Sequence, residues 1–365
     1  MTLPSKLWRL SLGLGLGLLW ALSPLSAWAW GHAGHHLIGS LADELLVGTP
    51  AAKQVAQVLG PAVKNLRTAG PWLDCVRDVG FKSPDSYQYR PAKPPFNSKA
   101  CVPFEGPAEK KRMEGYARLN WHNCPVVDGH KVAGACHRSY HFTNVAVQHD
   151  HYARQFFGTR EHDVVAAVQV ATAVLRTGKP STGLPVPRDR KDALLLIVHL
   201  VGDLHQPLHV GAIYLHDDGT PANPDAPSPA GQPVLDTRGG NQLEVGSDDL
   251  HHAWDTIPPS IHLNQLGSGP GLLRRKALMA EVRAVPAPTV PASQWPVQWA
   301  TDTLRAAPAA FDGLRFTRQG ALDPENWVVL FQDASGYDKA REGVQRQQIV
   351  QAAAHLAALL RNVWP

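Results

Sequence analysis

The segment from Asp192 to Val201 constrains the fold more than any other part of the sequence, because it is apolar almost all round. Such a helix is stable only when neighbouring elements cover it, so we expect it to run through the middle of the protein. His199 and Asp203 stand four residues apart, which places both side chains on one face of this helix. A carboxylate and an imidazole in such a position need a metal ion or a partner.

The residues after this helix add a further potential ligand. Pro207 cannot continue a helix, so the chain is free to turn there and to bring His209 back toward His199 and Asp203. Neutral imidazole beside carboxylate is an ordinary donor set for zinc. A hydrogen-bonded pair within one helix is an equally simple interpretation of a single His-x-x-x-Asp, and this alternative stays open for the segment by itself.

A second pair of the same kind follows a proline-rich stretch. His251 and Asp255 share a helix face, whereas His252 points about 100° away from it. Two such pairs on separate helices are hard to assign to chance. Single histidines and aspartates elsewhere in the sequence could join them, namely His35, Asp74 and His141.

Residues 1–29 have the order of a secretory signal peptide. Lys6 and Arg9 precede an apolar run, and Ala27-Trp28-Ala29 provides a small-x-small cleavage site. The alternative is a membrane anchor, but the apolar run is shorter than the roughly 20 residues that a span requires. We expect cleavage after Ala29, so that Trp30 becomes the mature N-terminus and the protein is secreted or periplasmic.

Charge and cysteine content limit the possible partners and compartment. Cleavage removes two positive charges from a chain of formal charge +4 and leaves +2, which is too small to mark a nucleic-acid binder by itself. Four cysteines lie within 62 residues and indicate two disulfides in an oxidising compartment: Cys75, Cys101, Cys124 and Cys136. Their pairing stays open. A cysteine zinc site is the alternative, but no Cys-x-x-Cys occurs.

The periodicity of the mature chain is helical nearly everywhere, which predicts an all-α fold. Helices are expected from Thr49-Pro50 onward, over 162–177 and over 338–362. Three stretches look largely irregular: a cysteine-bearing region over about 80–140, a proline-rich insertion over 217–233, and 258–296. No repeat or change of composition requires a second domain, so residues 30–365 are expected to form one.

Taken together, these motifs resemble one family, the secreted zinc-dependent single-strand nucleases of fungi, plants and bacteria, which share the fold of zinc phospholipase C. The resemblance rests on the order of the segments Trp30 to His35, Trp72 to Arg77, His141-Phe142, His199 to His209, and Gly239 to Thr256. It implies one helical domain that holds three zinc ions and hydrolyses single-stranded DNA and RNA to 5′-phosphorylated products. Activity on 3′-mononucleotides is a further expectation.

The resemblance also implies how the ligands are divided. One zinc ion would bind Asp74, His141, His199 and Asp203, and a second would bind His209, His251 and Asp255. The third would bind His35, Asp203 and the free amino nitrogen and carbonyl oxygen of Trp30. Cleavage of the leader would then complete the third site, because an amide nitrogen is a poor ligand and a free amine is a good one.

Zinc would activate a water and stabilise the departing 3′-oxygen. Asp74 would orient the water, and Arg77 would pair with Asp74 or neutralise developing phosphate charge.

Phe142 is expected to stack on an unpaired base, which favours single strands. Asn241 follows two glycines and could bond a base edge. Asn144 replaces an aspartate that reads the base in fungal members, so base preference does not carry over.

Two other functions stay open. A phospholipase C-like phosphodiesterase would have a similar centre, but its second site usually closes with glutamate where this chain has Asp255. A non-catalytic periplasmic zinc-binding protein would need neither the Trp30 terminus nor a shared Asp203. The nuclease hypothesis implies nucleic acids and mononucleotides as partners, a monomer without a protein partner, and no stable membrane anchor after cleavage.

Overall fold

The computed structural model describes residues 30–83, 86–91, 99–121, 139–227 and 232–365. Helices dominate these ranges, which confirms the all-α prediction. They are α1 (Gly31–Leu46), α2 (Pro50–Val63), α3 (Leu66–Ala69), α4 (Trp72–Val76), α5 (Pro107–Trp121), α6 (Val164–Thr177), α7 (Arg190–Asp203), α8 (Leu250–Asp255), α9 (Pro270–Ala284), α10 (Trp295–Ala306) and α11 (Ala334–Val363).

Short strands lie between the helices. They are β1 (Val79–Ser83), β2 (Ser86–Tyr89), β3 (Val145–Ala146), β4 (Gly211–Ala212), β5 (Tyr214–Leu215), β6 (Pro221–Ala222), β7 (Leu235–Asp236), β8 (Leu243–Val245), β9 (Asp248–Asp249), β10 (Leu314–Thr317) and β11 (Trp327–Phe331). The largest sheet within the described ranges has the order β10-β11-β8-β9. Within it, β11 runs parallel to β8 and pairs Trp327 with Leu243.

Helix α7 lies at the centre of the molecule, as its apolar sequence predicts. Every residue from Asp192 to Asp203 is buried, and the helix contacts α1, α2, α4, α6 and α11. The Asp189 side chain caps its N-terminus by accepting from the backbone N–H of Asp192. The helix ends at Asp203, and a 3₁₀ turn over Pro207–His209 follows, in agreement with the expected interruption at Pro207.

The other expected helices are also present. Thr49 caps α2 through the backbone N–H of Ala52, and Pro50 occupies the first turn. Helix α6 begins after its cap Asp163 and is followed by the C-cap Gly178, which adopts a left-handed conformation. Helix α11 starts four residues before the predicted boundary and packs along α1 and α7.

Two stretches that were expected to be irregular contain helices. In the region 80–140, α5 spans 15 residues; its sequence is rich in charge, but Met113, Tyr116 and Ala117 are buried at helical spacing. In the region 258–296, α9 spans another 15 residues. Sparse apolar positions at helical spacing were obscured in both cases by many charged neighbours. The described part of 217–233 holds one two-residue strand, β6.

One disulfide joins Cys75 in α4 to Cys101, which confirms the expectation of disulfide bonding. Cys124 and Cys136 lie outside the described residues, as does the predicted signal peptide. Within the described part of the chain, no helix is both long enough and apolar enough to cross a membrane. The division into a leader and one domain stays a prediction.

Candidate metal centre

Five elements and the segment before β3 bring the predicted ligands together in the interior. His35 lies on α1, Asp74 on α4, and His199 and Asp203 on α7. His209 lies in the 3₁₀ turn after α7, His251 and Asp255 on α8, and His141 just before β3. All eight of these side chains are buried.

Asp203 is the centre of the first group. Its Oδ2 lies 2.9 Å from His141 Nδ1 and 3.2 Å from His199 Nε2, and its Oδ1 lies 3.2 Å from His35 Nε2. The rings of His35 and His199 stack with centroids 3.8 Å apart. Gly202 permits this approach, because a Cβ there would lie 2.9 Å from His35 Nδ1.

Asp74 faces the same group from α4. Its Oδ1 lies 3.8 Å from His199 Nε2. Neither carboxylate oxygen of Asp74 has a hydrogen-bond partner among the described residues, and the same is true of Asp203 Oδ1 and His141 Nε2. Buried polar atoms without partners are costly, and a cation between them would supply the missing interactions.

The second group consists of His209, His251 and Asp255. The Nδ1 atoms of the two histidines lie 2.8 and 2.7 Å from the carbonyl oxygens of His141 and Gly239, so each Nδ1 carries the proton and donates it. Their Nε2 atoms then carry lone pairs, which face each other at 3.0 Å. Two lone pairs at this distance repel unless a cation lies between them. This donor set therefore fits zinc.

Asp255 completes the second group. Its Oδ2 lies 3.6 Å from His251 Nε2, and its Oδ1 accepts a hydrogen bond from Gln206 Nε2 at 2.6 Å. Burial raises the pKa of Asp255 well above its usual range; the Gln206 hydrogen bond opposes this, and the charges of Asp203 and Asp74 reinforce it. A bound cation would stabilise the ionised carboxylate.

In the first group, by contrast, the carboxylate of Asp203 is held in its ionised form. Burial would raise the pKa of Asp203, but His199 and the hydrogen bond from His141 hold it well below its usual range. Burial would lower the pKa of His199, but Asp203 and Asp74 raise it to about 8. Without a metal ion, the proton on His199 therefore supplies the positive charge that two buried carboxylates require.

Trp30 lies where the first and second groups meet. Its backbone N–H donates to Asp255 Oδ1 at 3.2 Å, and its indole Nε1 donates to Gly202 O at 2.8 Å. The residue is fully buried and has a left-handed backbone, with φ of 42°. The structure thus places the Trp30 nitrogen against Asp255, whereas the family resemblance implied that it shares a zinc ion with His35 and Asp203.

His32, Cys75 and Cys101 also lie close together, but the two sulfurs are joined to each other. A disulfide offers no thiolate, so this cluster is not a zinc site. The remaining clusters of potential ligands in the described residues are His35-His199-Asp203, Asp74-His141-His199 and His209-His251-Asp255. They include every predicted side-chain ligand.

The family of the chain was identified by comparison with known proteins. The family model described as S1/P1 nuclease matches residues 121–364, which are 244 of the 365 residues. The chain belongs to the S1/P1 nuclease family. It is therefore a nuclease, a hydrolase of nucleic acid, and this family is zinc-dependent. No curated protein matches the chain.

The match to the S1/P1 nuclease family includes six of the nine predicted zinc ligands, but Trp30, His35 and Asp74 precede it. The proposal that these three residues bind zinc therefore depends on their positions in the structure. Arg77 of the nuclease lies close to the centre, with Nη1 3.6 Å from Asp74 Oδ1. Burial would raise the pKa of Asp74, but His199 and Arg77 lower it.

The predicted substrate residues of this nuclease lie in different settings. Phe142 is half-buried, and the Arg160 guanidinium lies 5.9 Å from its ring centroid. Asn144 is buried and donates from Nδ2 to Asp236 Oδ2 at 3.2 Å. Asn241 donates to Arg238 O at 2.6 Å, an interaction within its own turn.

Sequence reasoning missed two residues that hold the second group. Gln206 contacts Asp255, and Gln345 on α11 donates to Trp254 O and Thr256 O at 2.9 and 2.8 Å. Gln206 lies between two expected ligands, so its position was a usable signal. Gln345 is 90 residues from α8, and no local pattern marks it. His205, which also lies between His199 and His209, is buried, and its ring nitrogens contact Val201 O and His355.

Proposed function

We propose that this nuclease is an endonuclease that hydrolyses single-stranded DNA and RNA to 5′-phosphorylated products, and that it also removes phosphate from 3′-mononucleotides. The observation that supports the proposal is the convergence of eight buried His and Asp side chains in two groups, one of them centred on Asp203. Such a donor-rich interior suits several divalent cations, and phosphodiester hydrolysis uses clustered cations to stabilise charge on both reacting oxygens.

The proposal includes three zinc ions. Asp74, His141, His199 and Asp203 would hold one, and His209, His251 and Asp255 a second. His35, Asp203 and the main-chain atoms of Trp30 would hold the third. Bound zinc would supply Lewis-acid stabilisation of phosphate oxygens and lower the pKa of a water at the centre.

The residues of the chain would orient the reactants. The ionised carboxylate of Asp74 would accept a hydrogen bond from the attacking water and fix its direction. Arg77, held beside Asp74, would donate to a phosphate oxygen as negative charge develops there. His199 keeps its Nδ1 proton on Gly70 O at 2.7 Å, so its Nε2 stays directed at the centre.

Selection of single strands would depend on access to a base. Phe142 adjoins His141, and a base stacked on this ring cannot be paired inside a duplex at the same time. Asn144, and Asn241 in its turn after two glycines, would bond the base edge. Asn144 already contacts Asp236, so together they would offer a donor and an acceptor.

Secretion forms part of the same proposal. Removal of residues 1–29 would leave a free amine on Trp30, whose nitrogen lies beside Asp255. The disulfide Cys75–Cys101 agrees with an oxidising compartment. We propose a secreted or periplasmic monomer that needs no protein partner.

Incubation of the mature protein with single-stranded DNA, single-stranded RNA, duplex DNA and phosphatidylcholine tests the function. We expect cleavage of both single strands, slower cleavage of the duplex, no lipid hydrolysis, and 5′-phosphate ends on the products. Chelation should remove the activity and added zinc should restore it. Hydrolysis of phosphatidylcholine at a comparable rate would favour the phospholipase alternative, and activity that resists chelation would contradict a zinc centre.

A further inference from the structure

Phe157 stands apart from the other apolar side chains at the surface. It is the single aromatic residue among the exposed large hydrophobics in the described ranges, and 55% of it is accessible to solvent. The preceding Phe156 packs instead, stacked on His149 with ring centroids 3.7 Å apart. None of the roles proposed for the residues of the metal centre involves Phe157.

The backbone of Phe157 is fixed in place. Its N–H donates to Asp225 Oδ1 at 2.8 Å, and the second oxygen of Asp225 lies 2.8 Å from His149 Nε2. The Phe157 ring contacts the Tyr214 ring in a T-shaped arrangement, with centroids 5.6 Å apart and planes at 79°. The ring is therefore held at a defined position while much of its surface stays open, which is the requirement for a stacking platform.

The position of Phe157 is tied to the expected base-binding residues. Gly158 O accepts from the backbone N–H of Asn144 at 3.1 Å, and Tyr214 donates to Asn144 O at 2.7 Å. A Cβ on Gly158 would lie 2.0 Å from Asn144 O, so this loop packs directly on Asn144. Asn144 follows His141 by three residues, which limits their Cα separation to about 10 Å.

A positive charge lies in the same region. The Arg160 guanidinium lies 5.9 Å from the centroid of Phe142, three residues after Phe157 in sequence. Burial raises the pKa of Asp236, and the nearby charge of Arg160 opposes that shift. Arg160 thus adjoins both Phe142 and the Asn144-Asp236 pair. A guanidinium at this position can donate hydrogen bonds to a backbone phosphate of a bound strand.

We propose that Phe157 is a second base-stacking platform, which binds a nucleotide beyond the one on Phe142, with Arg160 contacting the backbone phosphate between the two bases. The proposal rests on the function proposed above and specifies it further: the enzyme would prefer strands of several nucleotides over the shortest substrates. Stacking tolerates any base, so Phe157 would add affinity for length without sequence preference.

Phe157→Ala tests the proposal through the dependence of KM on substrate length. Relative to wild type, KM for a single-stranded 12-mer should rise about tenfold, the size expected for one lost base–aromatic contact. KM for a dinucleotide should stay unchanged, because it spans only the scissile bond. Phe157→Trp should retain the wild-type KM for the 12-mer. Leu273→Ala, at a similarly exposed apolar residue on α9, is the matched control and should change neither value.

Asp225→Ala provides a second variant that keeps the ring but removes its anchor. It should reproduce the selective rise in KM for the 12-mer, in weaker form. Unchanged KM for the 12-mer in Phe157→Ala overturns the platform, and so does an equal loss on 12-mer and dinucleotide, which indicates a merely structural role. If wild type cleaves neither substrate, the proposed function itself has failed, and the two failures are thereby distinguished.

Discussion

Asp203 is a fully buried carboxylate at the centre of the first group of candidate ligands. Three imidazole nitrogens lie within 3.2 Å of its two oxygens, and its side chain has no solvent-accessible surface in the protein alone. A carboxylate in this position either binds metal ions together with the neighbouring histidines, or one of these histidines keeps a proton. We therefore expect the function of Asp203 to depend on the negative charge of its carboxylate rather than on the volume of its side chain.

Asp203→Asn tests this dependence with little change of volume. We expect loss of nuclease activity by at least about a thousandfold, because the amide carries no charge to hold cations at the centre. Zinc content, measured by elemental analysis, should fall. Asp338→Asn, an exposed aspartate paired with Arg341, should keep both activity and zinc. Full activity in Asp203→Asn would remove this residue from the centre.

Gln206 is expected to tune the second group without binding zinc itself. Its Nε2 donates to Asp255 Oδ1 at 2.6 Å, so Gln206→Ala leaves that oxygen with the longer hydrogen bond from the Trp30 backbone N–H and holds the carboxylate less firmly. Loss of such a partner typically weakens metal affinity by about 10- to 100-fold. Competition with a chelator should detect this change. An affinity equal to wild type would mean that Asp255 is oriented by other contacts.

Zinc binding should release a proton from His199. The carboxylates Asp203 and Asp74 raise its pKa to about 8 against the opposing effect of burial, so the zinc-free protein holds this proton at pH 7. A ligand nitrogen must be deprotonated, and the proton is therefore expelled on binding. Calorimetry in buffers of different ionisation enthalpy should detect greater proton release at pH 7 than at pH 9.5. Equal release at both pH values would contradict the shifted pKa.

At the scale of elements, the i and i+4 pairs were the most predictable features. His199 with Asp203, and His251 with Asp255, lie on single helix faces with nitrogen–oxygen distances of 3.2 and 3.6 Å. Helical periodicity alone dictates these relations. The partners of such pairs were less predictable, because Gln345 reaches α8 from a helix that is distant in sequence.

Helix α7 also depends on a polar network at its start. Asp192 is fully buried and accepts from Arg112 and from Arg188 Nε, the latter at 2.6 Å. Asp192→Ala would leave two partly buried guanidinium groups without this acceptor, and we expect a loss of about 3–5 kcal/mol in the free energy of unfolding. Denaturant titration of the zinc-free protein measures it. Asp302→Ala, in an exposed pair, should cost less than about 1 kcal/mol.

At the scale of the whole molecule, the sequence predicted a helical protein with a buried central helix because apolar character and burial are directly linked. It missed α5, whose many charges conceal the buried spacing of Met113, Tyr116 and Ala117. The contact between Trp30 and Asp255 could not be predicted either, because these residues are 225 positions apart. Such contacts follow from packing, which a local pattern does not encode.

The proposed three-zinc centre would join side chains from four helices, α1, α4, α7 and α8, in one metal site. The number of zinc ions that activity requires can be measured by titrating the zinc-free mature protein with zinc while hydrolysis of single-stranded DNA is followed. We predict that activity rises to a plateau at three zinc ions per chain. A plateau at one ion per chain, or hydrolysis before any zinc is added, would rule out a three-zinc centre.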